Sequence, residues 1–443
     1  MKQDVQSTAA ELKAGRDLRK AVPPSDLAVL PDGVRQPLDI IAQQNQNRVP
    51  DLVPVRRERM SASPFTFYRG TAALMAADLG AAPHTGVTVA SCGDAHVSNF
   101  GFYASPQRTL VFDLNDFDES AWAPWEWDLK RLTASAIIGA RDGGHHDDFA
   151  AQAARKTVTS YGAAMRAALA MTPTERFYSH LNAEAGVGKL GKKSRAVAQA
   201  AVDKAHQRTG DRAAHKLTEI APDGRLRFIE RPPTMAHISE ESVAAVNAHL
   251  DLYTGSTTPD VHLLLQQYEV VDHARRVVGV GSVGTRCTLT LFQDGDGHSL
   301  ILQAKEATTS VLEQYGKVRQ PQQFRHTVET HGEGARVVGL QRILQALSDP
   351  FLGYLRADTD LYVRQFHDMK GGIDVSGLDR KPFLAYVRAC AIRLARAHSQ
   401  SPYTATIVGY LGDDHAVRDA IVEWSFAYAD LSAADYAAFT AEP

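Results

Sequence analysis

Cysteine is scarce in this sequence: Cys92, Cys287 and Cys390 are the only three in 443 residues, and they form no CxxC pair. Their spacing excludes a disulfide framework and a cysteine-based zinc cluster, and suits reduced thiols. Long apolar runs are also missing. No stretch approaches the roughly 20 residues that a bilayer-spanning helix needs, so no membrane partner is expected. The opening segment, MKQDVQSTAAELKAG, is too polar for the apolar core of a signal peptide. Neither sign of charge dominates: 48 Lys and Arg stand against 51 Asp and Glu, a net charge of −3. That balance offers no global attraction to nucleic acid or to an anionic membrane. Internal repeats and low-complexity segments are absent as well. What is left, at 44% hydrophobic and 22% charged residues, is a globular composition, expected to be cytoplasmic. The length predicts two lobes or two domains.

Residues 1–60 are polar and helical in pattern, broken by VPPSD and LPDG. SPFTFYRGTAALMAADLG predicts one helix of about four turns ending on Gly80. GVTVASCG and QRTLVFDLNDFD are short strands, read together as a small acidic strand pair, and WEWDLKRLTASAIIGARDGG is a helix stopped by paired glycines. Residues 147–217 are Ala-rich and helical, interrupted by the basic GVGKLGKKSR, which is either a solvated loop or a neutraliser of an acidic substrate. APDGRLRFIERPP reads as turn and strand, EESVAAVNAHLDLYTG as helix. From about residue 265 the pattern becomes strand, glycine-rich turn, strand, tight turn, strand, and the chain closes on amphipathic helices.

The chemistry concentrates in two places. Gly279, Gly281 and Gly284 spell GxGxxG, but the residues that follow are β-formers, which argues against a dinucleotide-binding helix start. The context fits a glycine-rich hairpin lying over phosphates, with Ser282 in the turn and Lys305 on a following strand reaching phosphate oxygens. The plain alternative is a hairpin whose lysine snorkels to water. The second place is CGDAHVSNFG followed by LVFDLNDFDE. An Asp, an Asn five residues on, and a strand ending in Asp-Phe-Asp match the layout of a kinase-like centre. On that layout Asp94 is the base that orients an acceptor hydroxyl. Asn99 and Asp116 are magnesium ligands, with Asp118 the alternative ligand. Asp113 is read as structural. His96 has either a catalytic role or a hydrogen bond to its own loop. Asp128 caps its helix or braces the loop. Arg69 holds a phosphate or carboxylate of the substrate, or pairs with a loop aspartate. The sequential cluster in GGHHDD, residues 143–148, is a solvated helix start.

These motifs resemble the HGDLHxxN…IDFD signature of the aminoglycoside and choline phosphotransferase branch of the protein-kinase-like fold, with Cys92 where that branch has histidine. Asp128-Leu129 matches the Asp-Leu pair on the helix that follows the metal aspartate there. Over nearly the whole chain, RGTAALMAADL, CGDAHVSNFG, FDLNDFDE, PWEWDLKRL, VGVGSVGTRC and DMKGG resemble the blocks of a bacterial family named only as domain of unknown function 2252. The resemblance implies an α+β, two-lobed kinase-like fold in which the glycine turn and Lys305 follow the catalytic motifs instead of preceding them. That order is a circular permutation. It implies a helical extension over 1–60, a catalytic lobe over 61–262, a β-rich nucleotide lobe over 263–372 and completing helices over 373–443. Within the second lobe, LYVRQFHD becomes the strand and hinge facing adenine, with Gln365 and His367 at the nucleotide. The lysine's glutamate partner is one of Glu306, Glu313, Glu329 and Glu333, the last being nearest. The function expected is ATP- and Mg²⁺-dependent phosphoryl transfer to a small-molecule hydroxyl. AMP transfer or protein phosphorylation on the same fold, a metal-dependent phosphoesterase, and a non-catalytic nucleotide-binding module are the alternatives.

Overall fold

A computed structural model describes residues 5–180, 182–277, 279–366 and 368–441. Twelve strands occur among them: β1 Thr88–Ser91, β2 Phe100–Ala104, β3 Leu110–Leu114, β4 Ala121–Pro124, β5 Thr218–Ile220, β6 Leu226–Phe228, β7 Met235–His237, β8 Glu269–Arg276, β9 Cys287–Gln293, β10 Ser299–Glu306, β11 Gly353–Leu355 and β12 Leu361–Gln365. Strands β7 to β12 form one six-stranded sheet in the order β11-β12-β10-β9-β8-β7, antiparallel at every pairing.

Side-chain alternation explains how the sheet is used. Leu300 and Leu302 of β10 join Phe292, Val363 and Tyr253 in a core on one face. Ile301 joins Leu289, Leu291 and Phe366 in a core on the other. Gln303 and Lys305 share the parity of Ile301, and the register sets Gln303 opposite Arg364 and Lys305 opposite Tyr362. One face of the sheet thereby presents a row of polar and cationic groups.

The remaining core is helical. The helices Trp125–Asp142, Asp147–Leu169, Arg380–His398 and Ala416–Ala441 bury Trp125, Leu132, Tyr161, Leu394 and Trp424 among others. The fold is mixed α+β, and no helix of the described residues is long and apolar enough to cross a membrane.

Several expectations need correction. The helix over residues 64–80 is two helices, Pro64–Arg69 and Ala72–Ala81. Gly70 and Thr71 close short turns back to Phe67 and Tyr68, and the buried Arg56 takes the Gly70 carbonyl. The two acidic strands do not pair with each other: β1 pairs with β4, and β3 pairs with β2, a strand not anticipated in FGFYA. GVGKLGKKSR is largely helical, split between Ala183–Gly188 and Lys192–His206. The β-rich part also begins before residue 263. Ala214, Leu217, Phe228 and Met235 pack on one face of the sheet, and Tyr253, Val261 and Leu265 on the other.

Candidate functional site

The loop after β1 owes its course to Gly93 and Asp128. Gly93 has a φ of 79°, and a Cβ there would stand 1.9 Å from the Glu119 carbonyl oxygen, so only glycine lets the two segments touch. The Asp128 carboxylate, from the first turn of the Trp125–Asp142 helix, accepts the main-chain N–H groups of Cys92 (2.8 Å) and Gly93 (3.1 Å). It also receives His398 Nε2 at 3.2 Å, and the other nitrogen of that ring meets the Tyr161 hydroxyl at 2.8 Å. Of the two roles read from sequence for Asp128, bracing the loop is the one these bonds describe.

That bracing presents Asp94. Arg131, one turn along the same helix, reaches its Oδ1 through Nε at 2.9 Å and Nη2 at 2.8 Å. The guanidinium lies over the Tyr68 ring, 3.9 Å from its centroid, and donates to the Tyr68 carbonyl at 2.7 Å. Burial raises the Asp94 carboxyl and Arg131 opposes it, leaving it pushed up to about 6. His96 Nε2 sits 3.5 Å from Asp94 Oδ2. Its Nδ1 is buried without a hydrogen-bond partner, and burial, then Arg69 and Arg131, hold the imidazole well below its ordinary value, so it is neutral. Asn99 donates its amide to the Asp94 carbonyl at 2.7 Å.

Asp116 and Asp118 arrive from the end of β3. Asp113, still within the strand, is fully buried and accepts the main-chain N–H groups of Leu114 and Ala346, a structural arrangement. Asp118 binds Lys305 Nζ and the Tyr362 hydroxyl, and takes a third bond from the Ser282 hydroxyl at 3.2 Å. Burial alone would raise the Asp118 carboxyl, but the Lys305 charge more than offsets it, and Lys305 is held above its ordinary value in turn. Asp116 Oδ1 lies 3.9 Å from Lys305 Nζ and is buried with no hydrogen-bond partner.

Lys305 forms its ion pairs with these aspartates and with none of the four glutamates proposed for it. Glu306 pairs with Arg286, and Glu333 pairs with Arg336 of its own helix, Glu333–Leu344. Arg336 takes over the anchoring. Its buried guanidinium donates to the carbonyls of Asp118 at 2.9 Å and Thr308 at 2.7 Å, and to that of Ser120, fixing the segment that carries the aspartates.

A cavity of about 40 Å³ lies over Asp94, Asn99, Asp116 and Asp118, walled by Arg48, Arg69 and Ser282. A cleft of about 540 Å³ lies along the polar face of the sheet, lined by Asn115, Gln303, Arg364, Gln365 and Lys370. The glycine turn contributes Gly279 to the cleft and Gly281 and Ser282 to the cavity, so it runs between them. It is held there from the amino-terminal segment. Arg59 donates to the Gly279 carbonyl at 2.6 Å, Val49 N–H to that of Gly284 at 2.8 Å, and Arg48 to that of Val283. Gly284 therefore faces this clamp and not the cavity.

Charge in the cleft is unbalanced. Arg108, Arg276, Arg364 and Lys370 line the cleft against two carboxylates, Asp368, which is paired with Arg108, and Asp349, which accepts the N–H groups of Phe351 and Gln365, so cations are in excess. Lys370 is pushed down to about 7 by Arg364 and by burial. Arg69 borders Asp94 and Asp116, half-buried, with its Nε unpartnered. His367 lies outside the described residues. Sequence reasoning passed over Arg131, Tyr362, Arg364 and Lys370. Each stands in a stretch already singled out, Arg131 in PWEWDLKRL, Tyr362 and Arg364 in LYVRQFHD and Lys370 in DMKGG.

The chemistry of the donor set bears on magnesium. Among the described residues no group of three His, Cys, Asp or Glu side chains is placed to hold a metal. Asp118 is taken by Lys305, leaving Asp116, with its orphaned oxygen, and Asn99. Magnesium is commonly held by one or two carboxylates plus substrate phosphates, so this pair fits a cation that arrives with a phosphate.

No curated protein and no solved structure matches the chain. One family model does, described as "Uncharacterized protein conserved in bacteria (DUF2252)", over residues 48–442, a span that includes every group described above. The chain belongs to this bacterial family.

Proposed function

We propose that the protein is a phosphotransferase that moves the terminal phosphoryl group of ATP to a hydroxyl of a small molecule. One juxtaposition carries this reading. Lys305, on a strand that follows a glycine turn, lies against Asp116 and Asp118, which come from the other half of the sequence and adjoin the base candidate Asp94. The glycine turn joins β8 and β9, and the lysine sits on the next strand, β10, the arrangement by which kinase-like sheets hold phosphates.

The permuted, two-lobed kinase-like fold belongs to the same proposal. The helix Arg380–His398 takes the part of the element that would ordinarily precede the catalytic loop, and its last residue supports that loop through Asp128.

In the proposed reaction Asp94 accepts the proton of the acceptor hydroxyl as the new O–P bond forms. The bond to the β–γ bridging oxygen breaks, and ADP leaves. Arg131 fixes the Asp94 carboxylate in place, and a group titrating near 6 is ionised at neutral pH yet basic enough to take a proton. Arg364 and Lys370 line the cleft and neutralise phosphate oxygens there, Lys305 reaches the terminal phosphate from beside Asp116 and Asp118, and Gly279 and Gly281 allow main-chain N–H groups to approach. Asp116 and Asn99 would hold magnesium, whose charge supports the phosphates when it is bound. The test is thermal: ATP with magnesium should raise the melting temperature, and Asp116→Ala should remove the part of the rise that depends on the metal. No rise at millimolar nucleotide would sink the proposal.

A further inference from the structure

A second concentration of positive charge lies away from this cleft, between the helices Asp147–Leu169 and Arg380–His398. A groove of about 410 Å³ there is lined by Lys156, Arg176, Arg388, Arg393 and Arg396, with no Asp or Glu among its lining residues. Two of the five cations use main-chain carbonyls as partners. Arg396 donates to Ser179 at 3.1 Å, Phe177 at 3.2 Å and Leu344 at 2.9 Å, and Arg176 to Met171 at 3.1 Å. Carbonyl partners satisfy hydrogen bonds without cancelling charge.

Arg393 is the sharpest case. It is 7% exposed, and its Nε and Nη1 have no hydrogen-bond partner. The carboxylates that act on this set are Asp113, which is already bonded to two main-chain N–H groups, and Glu11, which acts on Arg176. A buried guanidinium with open donors is costly unless something else completes it. Guanidinium forks match phosphate oxygens, the hydroxyls of Thr159 and Ser160 line the same groove, and its volume suits a small metabolite.

We propose that this groove binds a small phosphate-bearing anion, separately from the cleft along the sheet. The proposal stands whether or not the protein transfers phosphate. Its test uses the full-length protein with inorganic pyrophosphate in the presence of a chelator, read by thermal melting. Pyrophosphate raises the melting temperature of the wild type, and both Arg393→Met and the double variant Lys156→Gln/Arg388→Gln lose most of that rise. No rise in the wild type, or a full rise in both variants, would overturn the proposal. So would an Arg393→Met protein that melts well below the wild type while the double variant responds fully, since Arg393 would then be a structural residue.

Discussion

Replacing Lys305 by Met removes the only cation bonded to Asp118 among the described residues and leaves that carboxylate with the Tyr362 and Ser282 hydroxyls. Breaking a buried ion pair from one side costs about 3–5 kcal/mol. The Lys305 side chain is 2% exposed but that of Asp118 is 22% exposed, so water relieves part of the loss and the expectation is near the lower end, about 3 kcal/mol. Adding Asp118→Asn removes the stranded charge. The double variant should therefore be more stable than Lys305→Met alone, with a coupling of about 2 kcal/mol across the cycle. The pH dependence has a definite sign. Lys305 depresses the Asp118 carboxyl, so the pair's contribution is present above an ordinary carboxylate pKa of about 4 and fades as the pH falls below it. Wild type and Lys305→Met should converge in stability on acidification. Urea midpoints at pH 7 and at about pH 3, inside that window, measure all of this. A loss below about 1 kcal/mol, or strict additivity of the two substitutions, would refute the buried pair as described.

Two further outcomes follow from the loop. With Asp94 pushed up to about 6, phosphoryl transfer should rise through that pH and level off above it. Arg131→Met, lacking the guanidinium that favours the carboxylate, should move the rise to higher pH, and a flat profile from pH 5 to 8 would count against Asp94 as the base. Asp128→Asn weakens the bonds to the Cys92 and Gly93 N–H groups and to His398, a loss of about 2 kcal/mol for a charged acceptor. Hydrogen exchange at Gly93 should accelerate, and unchanged protection would show that the loop does not depend on this carboxylate.

The parts of the fold and site that could be read from the chain are those set by local pattern. The strands β8 to β10 follow from alternation around a glycine turn, and Asp94, Asn99 and Asp116 lie within one short stretch that can fold on itself. Groups whose role depends on a distant partner left little trace. Arg131 sits in a helix that reads as merely amphipathic, and only the course of the loop turns it toward Asp94. The glutamate sought for Lys305 was the wrong residue type, because Asp118 supplies the counter-charge and Arg336 holds the backbone that carries it. FGFYA, a run of aromatic and small residues without a turn signal after the motif, concealed β2. The early start of the sheet unit was equally hidden, since Ala214 and Leu217 belong to a helix whose apolar side meets strands far along the chain.

The central claim is that the cleft along the sheet places the terminal phosphate of a nucleotide at Lys305 and Asp116. A crystal structure of the full-length protein with magnesium and a non-hydrolysable ATP analogue tests it most directly. The account predicts the nucleotide in the cleft lined by Gln303, Arg364 and Lys370, its terminal phosphate within hydrogen-bonding reach of Lys305 Nζ, and a cation on Asp116 and Asn99. A nucleotide bound elsewhere, or one in the cleft with its phosphates turned away from Lys305, would contradict it.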